Sequence, residues 1–432
     1  MRGMAGPDTG RASSARPLVG VLAAMAVSLT GTRVSAIAVP WFVLVTTGSA
    51  TQTGLVAFCE MAPYVVVKAL AGPLVDRVGP RVVSWTTDLV SALAATLLPL
   101  LVLAGVLPFW LLLALVAVIG AARGPGDLAK EIMVPEAARW GRVPLERATG
   151  LSGVVERLAQ TVGPSVGGVL IALFGPLAGL GVIAGCFAAG SLVVAVALPR
   201  GLGRGTRAAD TEDTANTGVG YWRSFGEGVR FLRADRMLLA IVCLIAITNL
   251  LDAAFSSVLL PVWARESGHG PSAIGIAVSA GGISAICGSL IAAVVAHRLP
   301  RRLVFFTAFL LAGAPRYLVL ASGAPLWTVY VVFAVGGFGA GFLNPILGAI
   351  MYERIPQRML GRVGALSDSL AWAGMPLGGL IAGGLVVLLG IVPALVVCGL
   401  VYALTTSLGG LRPEWREMRP GVDSTGERLS QS

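Results

Sequence analysis

The sequence predicts an all-α membrane protein with twelve transmembrane helices in two six-helix bundles. Hydrophobic residues make up 56% of the chain and charged residues only 12%, with a mean hydropathy of +0.83. A soluble domain carries about 25% charged residues. About twelve apolar runs reach the roughly 20 residues that a helix needs to cross the bilayer core. These runs do not show the alternation of apolar and polar residues that is typical of barrel strands. Helices are the other structure that satisfies all backbone hydrogen bonds in lipid.

The apolar runs fall into two sets of six, which we number 1 to 12 in chain order. The first set occupies 17–45, 51–73, 82–105, 107–130, 148–172 and 177–199. The second set occupies 237–262, 271–298, 302–321, 325–352, 363–388 and 390–409. We therefore expect bundles at 17–199 and 237–409, with polar tails at 1–16 and 410–432.

The segment 200–236 between the bundles is rich in Gly, Thr, Asp and Arg, which predicts a solvated linker. Near its end Trp222, Phe225, Val229 and Leu232 recur at helical spacing among Arg and Glu. This pattern predicts an amphipathic helix at the membrane surface.

Basic residues indicate the orientation in the membrane. Arginines concentrate in both tails, in the linker and in the connections after runs 2, 4, 8 and 10, whereas the alternate connections hold only Arg265, beside Glu266. The positive-inside rule then places both termini and the linker in the cytoplasm, in a multi-pass inner-membrane protein. The net charge of +10 is explained by anionic lipid, so we expect no nucleic-acid partner. The polar first 16 residues predict no cleavable signal peptide.

The sequence offers no sign of a cofactor or an enzyme. The five cysteines lie inside apolar runs at unrelated spacings, which predicts packed side chains rather than a disulfide or metal framework. His269 and His297 fall at opposite membrane faces, so they cannot share one metal. We find no nucleotide-binding Gly-x-x-x-x-Gly-Lys and no nucleophile paired with a base. ATP is therefore not the expected energy source.

The connection between runs 2 and 3 carries the most specific motif, with Gly72, Asp76, Arg77, Gly79 and Arg81. The two glycines allow a tight turn, and a carboxylate such as Asp76 can accept hydrogen bonds from the amides at a helix start. The spacing resembles the Gly-x-x-x-Asp-Arg-x-Gly-x-Arg loop of major facilitator superfamily transporters.

This resemblance implies a conformational gate. Asp76 would contact the start of run 11 near 361–363 and hold the halves together in the outward-open state. Asp127, near the end of run 4, resembles the acidic partner of this network, with Arg77 as the link.

Run 5 carries a second motif of small residues that are typical of close helix contacts. Its positions are Gly150, Ala159, Gly163, Pro164, Gly167 and Gly168. The series resembles the motif of the drug:proton antiporter branch and departs from it only at Ala159. Pro164 removes a backbone donor and is expected to bend the helix. The alternative is generic small-residue packing.

Two further features indicate an internal repeat and a branch of the superfamily. Run 11 repeats part of the run 5 motif as Gly374-x-x-x-Gly378-Gly379, as expected for two pseudo-repeats. The segments Ala38-Val39-Pro40-Trp41 and Glu353-Arg354-Ile355-Pro356 resemble macrolide-efflux and enterobactin-exporter permeases more than sugar or nitrate carriers.

Charged residues inside the runs are costly and mark functional positions. Arg33 lies in run 1, Glu60 in run 2 and Asp252 in run 7, with Asn249 one turn before Asp252. The family resemblance implies that runs 1, 4, 7 and 10 line the cavity. Asp252 is therefore our first candidate for proton coupling or for binding a cationic substrate, and Glu60 is the second. The alternative for Asp252 is a structural salt bridge with Arg33.

These observations together predict a monomeric secondary transporter that exports a small, partly apolar compound by alternating access. A drug, a macrolide or a siderophore-like molecule fits this class. The expected partners are the substrate, protons and membrane lipid, and the proton gradient replaces a cofactor. An uptake permease of the same superfamily is one alternative. A lipid flippase or membrane sensor is another.

Overall fold

The computed structural model describes residues 15–199, 202, 226–227, 229–295, 298–356 and 359–411. Within these ranges, twelve helices or joined helix pairs are long and apolar enough to cross a membrane. The tails and most of the linker lie outside the described residues, as does His297. Of the predicted amphipathic helix, Trp222 and Phe225 also lie outside them, while residues 226–227 and 229–234 are helical.

The first half contains six long helices and one short one. They are α1 (Arg16–Thr47), α2 (Ala50–Leu70), the short α3 (Gly72–Val78), α4 (Pro80–Leu103), α5 (Phe109–Gly141), α6 (Leu145–Phe174) and α7 (Pro176–Ala197).

The second half has six spans, three of which are interrupted. The elements are α8 (Arg236–Ala254), a π-helical turn (Phe255–Leu259), α9 (Leu260–Glu266), α10 (Gly270–Val295), α11 (Arg301–Ala312), α12 (Ala314–Ala321), α13 (Leu326–Arg354), α14 (Leu360–Ala373), α15 (Met375–Leu389) and α16 (Ile391–Leu411). The interruptions are the π-helical turn, Gly313 and Gly374.

The two ends of the bundle differ in their connections. We call the end where α1 begins and α2 ends the basic face, because it carries Arg77, Arg81 and Arg139. We call the opposite end the far face. Its turns are short and depend on glycine: Gly175 and Gly390, between α6 and α7 and between α15 and α16, both have a φ of +83°. Only glycine adopts this conformation readily.

The two halves pack together on the far-face side. Gly168 of α6 lies against α10, where an added Cβ would be 2.6 Å from the Pro271 carbonyl oxygen. Gly379 of α15 lies against α2, 3.0 Å from the Ala57 methyl by the same construction. Hydrogen bonds reinforce the α6–α10 seam, since the Ser165 hydroxyl donates to the Ser279 hydroxyl.

The glycine contacts repeat between the halves. Gly167 packs on Val34 of α1, within its own half, while the next glycine, Gly168, faces the other half. In the same way Gly378 packs on α8 at Leu250, and Gly379 faces the other half. This repetition agrees with the pseudo-repeats in the sequence and fixes the two seams at matching depths.

Two features of the first half differ from what the sequence predicts. Helix α5 continues to Gly141 instead of ending at residue 130. Charged residues obscured its last turns, but Met133 and Ala137 pack with Val21 of α1 and Val194 of α7. The motif between runs 2 and 3 is also not a plain loop. It forms helix α3, which has proline in its first turn, a favourable position.

Candidate transport cavity

A cavity of about 470 Å³ lies between the two halves. It extends from Pro40 and Gly379, beside the glycine seams, to Lys68, Glu131 and Thr149 toward the basic face. Helices α1, α2, α5 and α6 supply one wall, and the α8 end, the π-helical turn and the α14–α15 junction supply the other. The volume lies within the range of small-molecule sites, about 300–1,000 Å³.

A buried ion pair forms part of the cavity wall. Glu60 of α2 accepts a hydrogen bond from the Arg123 guanidinium of α5 at 2.8 Å, and the side chains are 11% and 5% exposed. Gly120, one turn before Arg123, contacts the Glu60 backbone and lets the helices approach closely. Burying two charges is costly even when they pair, which favours a functional reason for this pair.

A second ion pair lies behind the wall of the first half. Lys130 lines the cavity, and its Nζ is 2.8 Å from Asp88 Oδ1 of α4. The Ser28 hydroxyl of α1 donates to Asp88 Oδ2 at 3.0 Å. Gly190 of α7 leaves room for this cluster, since an added Cβ would be 3.1 Å from Asp88 Oδ2. The cluster joins four helices of the first half.

Three charged side chains in the cavity have weaker neighbours. Asp127 accepts a hydrogen bond from the Tyr64 hydroxyl at 3.3 Å, and Glu156 accepts one from Gln160 at 3.1 Å. Arg33 has a buried Nε with no hydrogen-bond partner among the described residues. The cavity therefore offers both acidic and basic groups to a solute.

An aromatic contact crosses the cavity from one half to the other. Tyr64 of α2 stacks on Trp372 of α14 with ring centroids 6.4 Å apart. The Lys68 ammonium lies 5.6 Å from the Trp372 centroid and pairs with Glu131 at 3.3 Å. Methionines also line the cavity and give it an adaptable apolar surface. They are Met25, Met61 and Met375.

Asp252 is placed differently from what the sequence suggested. It pairs with Arg316 of α12, and its neighbour Ala253 faces the cavity instead. One residue turns the side chain by about 100° around a helix, which directs Asp252 into the second half. Within the described ranges no ion pair joins Asp252 to Arg33.

The Arg316 guanidinium is also held by aromatic rings. It lies 4.7 Å from the Phe255 centroid and 5.3 Å from the Tyr317 centroid. Asn249 is likewise outside the cavity lining, and its amide donates to the Ala371 carbonyl at 3.0 Å, which ties α8 to α14. Asp252 and Asn249 of α8 thus hold helices of the second half together.

The gate motif shows one contact that the sequence did not predict. Arg81 donates to the carbonyls of Ala195 and Leu198, at 2.6 and 2.9 Å, and so caps the end of α7 as basic groups commonly do. Asp76 is exposed in α3. The predicted link between Arg77 and Asp127 stays a prediction. The predicted tie between Asp76 and α14 stays a prediction.

The predicted antiporter motif includes close contacts over its second half. An added Cβ on Gly163 would lie 2.6 Å from the Arg33 Cβ, and Ala159 is buried. The Pro164 carbonyl faces Gly275 of α10. An added Cβ on Gly150 would have no described atom within 4 Å. The motif therefore combines an α1 contact and an α10 contact with an open start near the basic face.

Three charged residues of the site, Arg123, Lys130 and Asp88, escaped the sequence analysis, which named Asp127 for the gate alone. Arg123, Asp127 and Lys130 follow one another at intervals of four and three residues, which places them on one helix face. That spacing was a usable signal. Asp88 is an isolated acid within an apolar run. Because an acidic residue is costly in lipid, its position was a second usable signal.

Two pseudo-symmetric six-helix halves around a cavity with apolar and charged lining residues define a membrane transporter of the major facilitator superfamily. The model of its family of transmembrane secretion effectors matches residues 18–420. The chain belongs to this family.

Known relatives share most of the chain. The multidrug efflux pump Tap of Mycolicibacterium fortuitum is 33% identical over 407 residues, covering 93% of this chain and 97% of the relative. Tap of Mycobacterium tuberculosis is also 33% identical, covering 86% of this chain and 88% of the relative. Macrolide efflux protein A of Streptococcus pyogenes is 23% identical, with coverages of 83% and 86%.

Solved structures agree in fold. The nucleoside transporter NupG matches with a TM-score of 0.70 at 14% identity, covering 94% of this chain and 99% of that one. A bacterial metal transporter matches with a TM-score of 0.63 at 14% identity, covering 93% and 100%. At these identities the likeness extends to the architecture alone.

Proposed function

We propose that this protein exports small, partly apolar compounds, including macrolide-like drugs, across the cytoplasmic membrane in exchange for protons. The observation that carries the proposal is the buried Glu60–Arg123 pair in the wall of the cavity between the halves. The relatives named as multidrug and macrolide efflux proteins support the direction of transport.

Orientation follows from the basic face. With that face in the cytoplasm, the cavity in this structure is accessible to cytoplasmic solutes, and the glycine seams close the other side. This is the state in which an exporter collects its substrate. The adaptable lining of methionines and aromatic rings suits compounds of varied shape.

Proton coupling is assigned to Glu60 in preference to Asp252. Glu60 lines the cavity, so it can exchange a proton with whichever side the cavity faces. A proton on Glu60 removes its charge and weakens its hold on Arg123, because the charged pair is the stronger form of this bond. Because the cavity opens to opposite sides of the membrane in the two states, Glu60 can carry a proton inward while the substrate moves outward.

Transport by purified protein in liposomes tests the proposal. Ethidium is a suitable probe because its permanent charge prevents simple trapping by a pH gradient. We expect ethidium to accumulate in vesicles with an acidic interior, and Glu60→Gln to abolish this accumulation. Glu266→Gln, at the far-face end of α9, is the matched control and should transport normally.

Two outcomes would contradict the proposal. Accumulation only in vesicles with an acidic exterior would indicate uptake together with protons, as in an importer. Ethidium accumulation that is equal with and without a pH gradient in every variant would contradict proton coupling. A parallel assay with erythromycin checks whether macrolides compete with ethidium.

A further inference from the structure

A second cavity lies on the outer surface, away from the transport path. It is a groove of about 360 Å³ between α11 and α16. Its residues come from the start of α11 and the end of α16, so it lies at the basic face. The residues that matter here are Arg302, Leu303, Phe306, Leu310, Thr406 and Ser407.

The groove is apolar along most of its length. Leu303 is 61% exposed and Leu310 is 40% exposed, and in a bilayer both face hydrocarbon. An empty apolar groove would forfeit van der Waals contacts with its walls. A lipid acyl chain is the available molecule that fills such a space inside a membrane.

The end of the groove at the basic face is polar. Arg302 is in the first turn of α11, where the membrane meets water, and Ser407 offers an exposed hydroxyl near the end of α16. The neighbouring Arg301 pairs with Glu353 of α13 at 2.6 Å, which fixes the start of α11. A cation and a hydroxyl donor thus stand at one end of an apolar groove.

We propose that this groove binds one anionic phospholipid. Its phosphate group contacts Arg302 and Ser407, and one acyl chain lies along Leu303, Phe306 and Leu310. Charge complementarity favours an anionic over a zwitterionic lipid, because a basic residue near the membrane surface attracts a headgroup of net negative charge. The apolar walls favour a lipid over a free anion.

Lipid binding to the full-length protein in detergent tests the proposal directly. Native mass spectrometry with added phosphatidylglycerol or phosphatidylcholine gives the affinity for each lipid. We expect tighter binding of phosphatidylglycerol, and a loss of about five-fold in Arg302→Gln, as expected for one basic residue near an anionic headgroup. Arg302→Lys should retain the preference because it keeps the charge.

Two further variants separate this groove from general attraction to the basic face. Arg139→Gln removes a positive charge from the same face in the other half and should bind phosphatidylglycerol like the unmodified protein. Ser407→Trp fills the groove and should lose the lipid, whereas Leu388→Trp on another exposed surface should not. Equal binding of both lipids, or equal losses in Arg139→Gln and Arg302→Gln, would overturn the proposal.

Discussion

Buried charges set the properties of single residues in this protein. The Asp88 and Lys130 side chains are 4% and 3% exposed, so removing one partner leaves the other charge unpaired in a dry environment. Breaking a buried pair typically costs about 3–5 kcal/mol. We expect both Asp88→Asn and Lys130→Met to lower the thermal melting temperature of the detergent-purified protein strongly.

The double variant Asp88→Leu with Lys130→Met is the informative comparison. It leaves no unpaired charge, so it should melt above both single variants. A double variant that melts lower than either single one would show that the ion pair itself stabilises the first half.

Asp252 gives a second prediction for a single residue. Because it pairs with Arg316 outside the cavity lining, Asp252→Asn should keep pH-driven ethidium transport. Its melting temperature should fall, by the equivalent of about 1–2 kcal/mol, since the pair is only partly buried. Transport that disappears in Asp252→Asn while folding is intact would return the coupling role to this residue.

At the scale of helices, the run 5 motif can be tested by adding bulk. Gly163→Leu forces a side chain against Arg33 of α1, where even a Cβ would be too close. We expect this variant to insert into the membrane, because Leu is favourable there, but to lose ethidium transport. Gly181→Leu in α7 is the control, since no atom of the described part of the chain lies within 4 Å of an added Cβ there. Equal transport by both variants would reduce the motif to ordinary packing.

The helices also show what sequence can and cannot predict. The bilayer requires about 20 apolar residues per span, so every span was visible as a run. The interruptions at the π-helical turn and at Gly313 were not, because they depend on tertiary contacts. An added Cβ on Gly313, for example, would strike the Tyr402 ring of α16. Likewise Glu60 was visible as a charge in lipid, but its partner Arg123 was not assigned.

At the scale of the whole molecule, the gate motif predicts a change in the balance of states. Asp76→Asn should weaken the predicted tie to α14 in the outward-open state. A carboxylate at a helix start contributes about 0.3–1 kcal/mol, which corresponds to a population change of about two- to five-fold. The protein should therefore favour the conformation described here.

Distances between spin labels on the basic-face ends of α2 and α14 measure this balance. The Asp76→Asn distribution should shift toward longer distances in the absence of substrate. Glu266→Gln, at the far face, should leave the distribution unchanged. Identical distance distributions for Asp76→Asn and the unmodified protein would contradict the proposed contact between Asp76 and α14.

The two glycine seams have a mechanical consequence. Where Gly168 meets Gly275 and Gly379 meets Gly54, backbone lies against backbone. Interlocked ridges and grooves would have to disengage before one half rotated against the other. At these two glycine contacts the halves can instead rotate against each other with few changes of side-chain rotamer. A bulky residue at either glycine contact would then slow the transport cycle, even where it leaves the affinity for substrate unchanged.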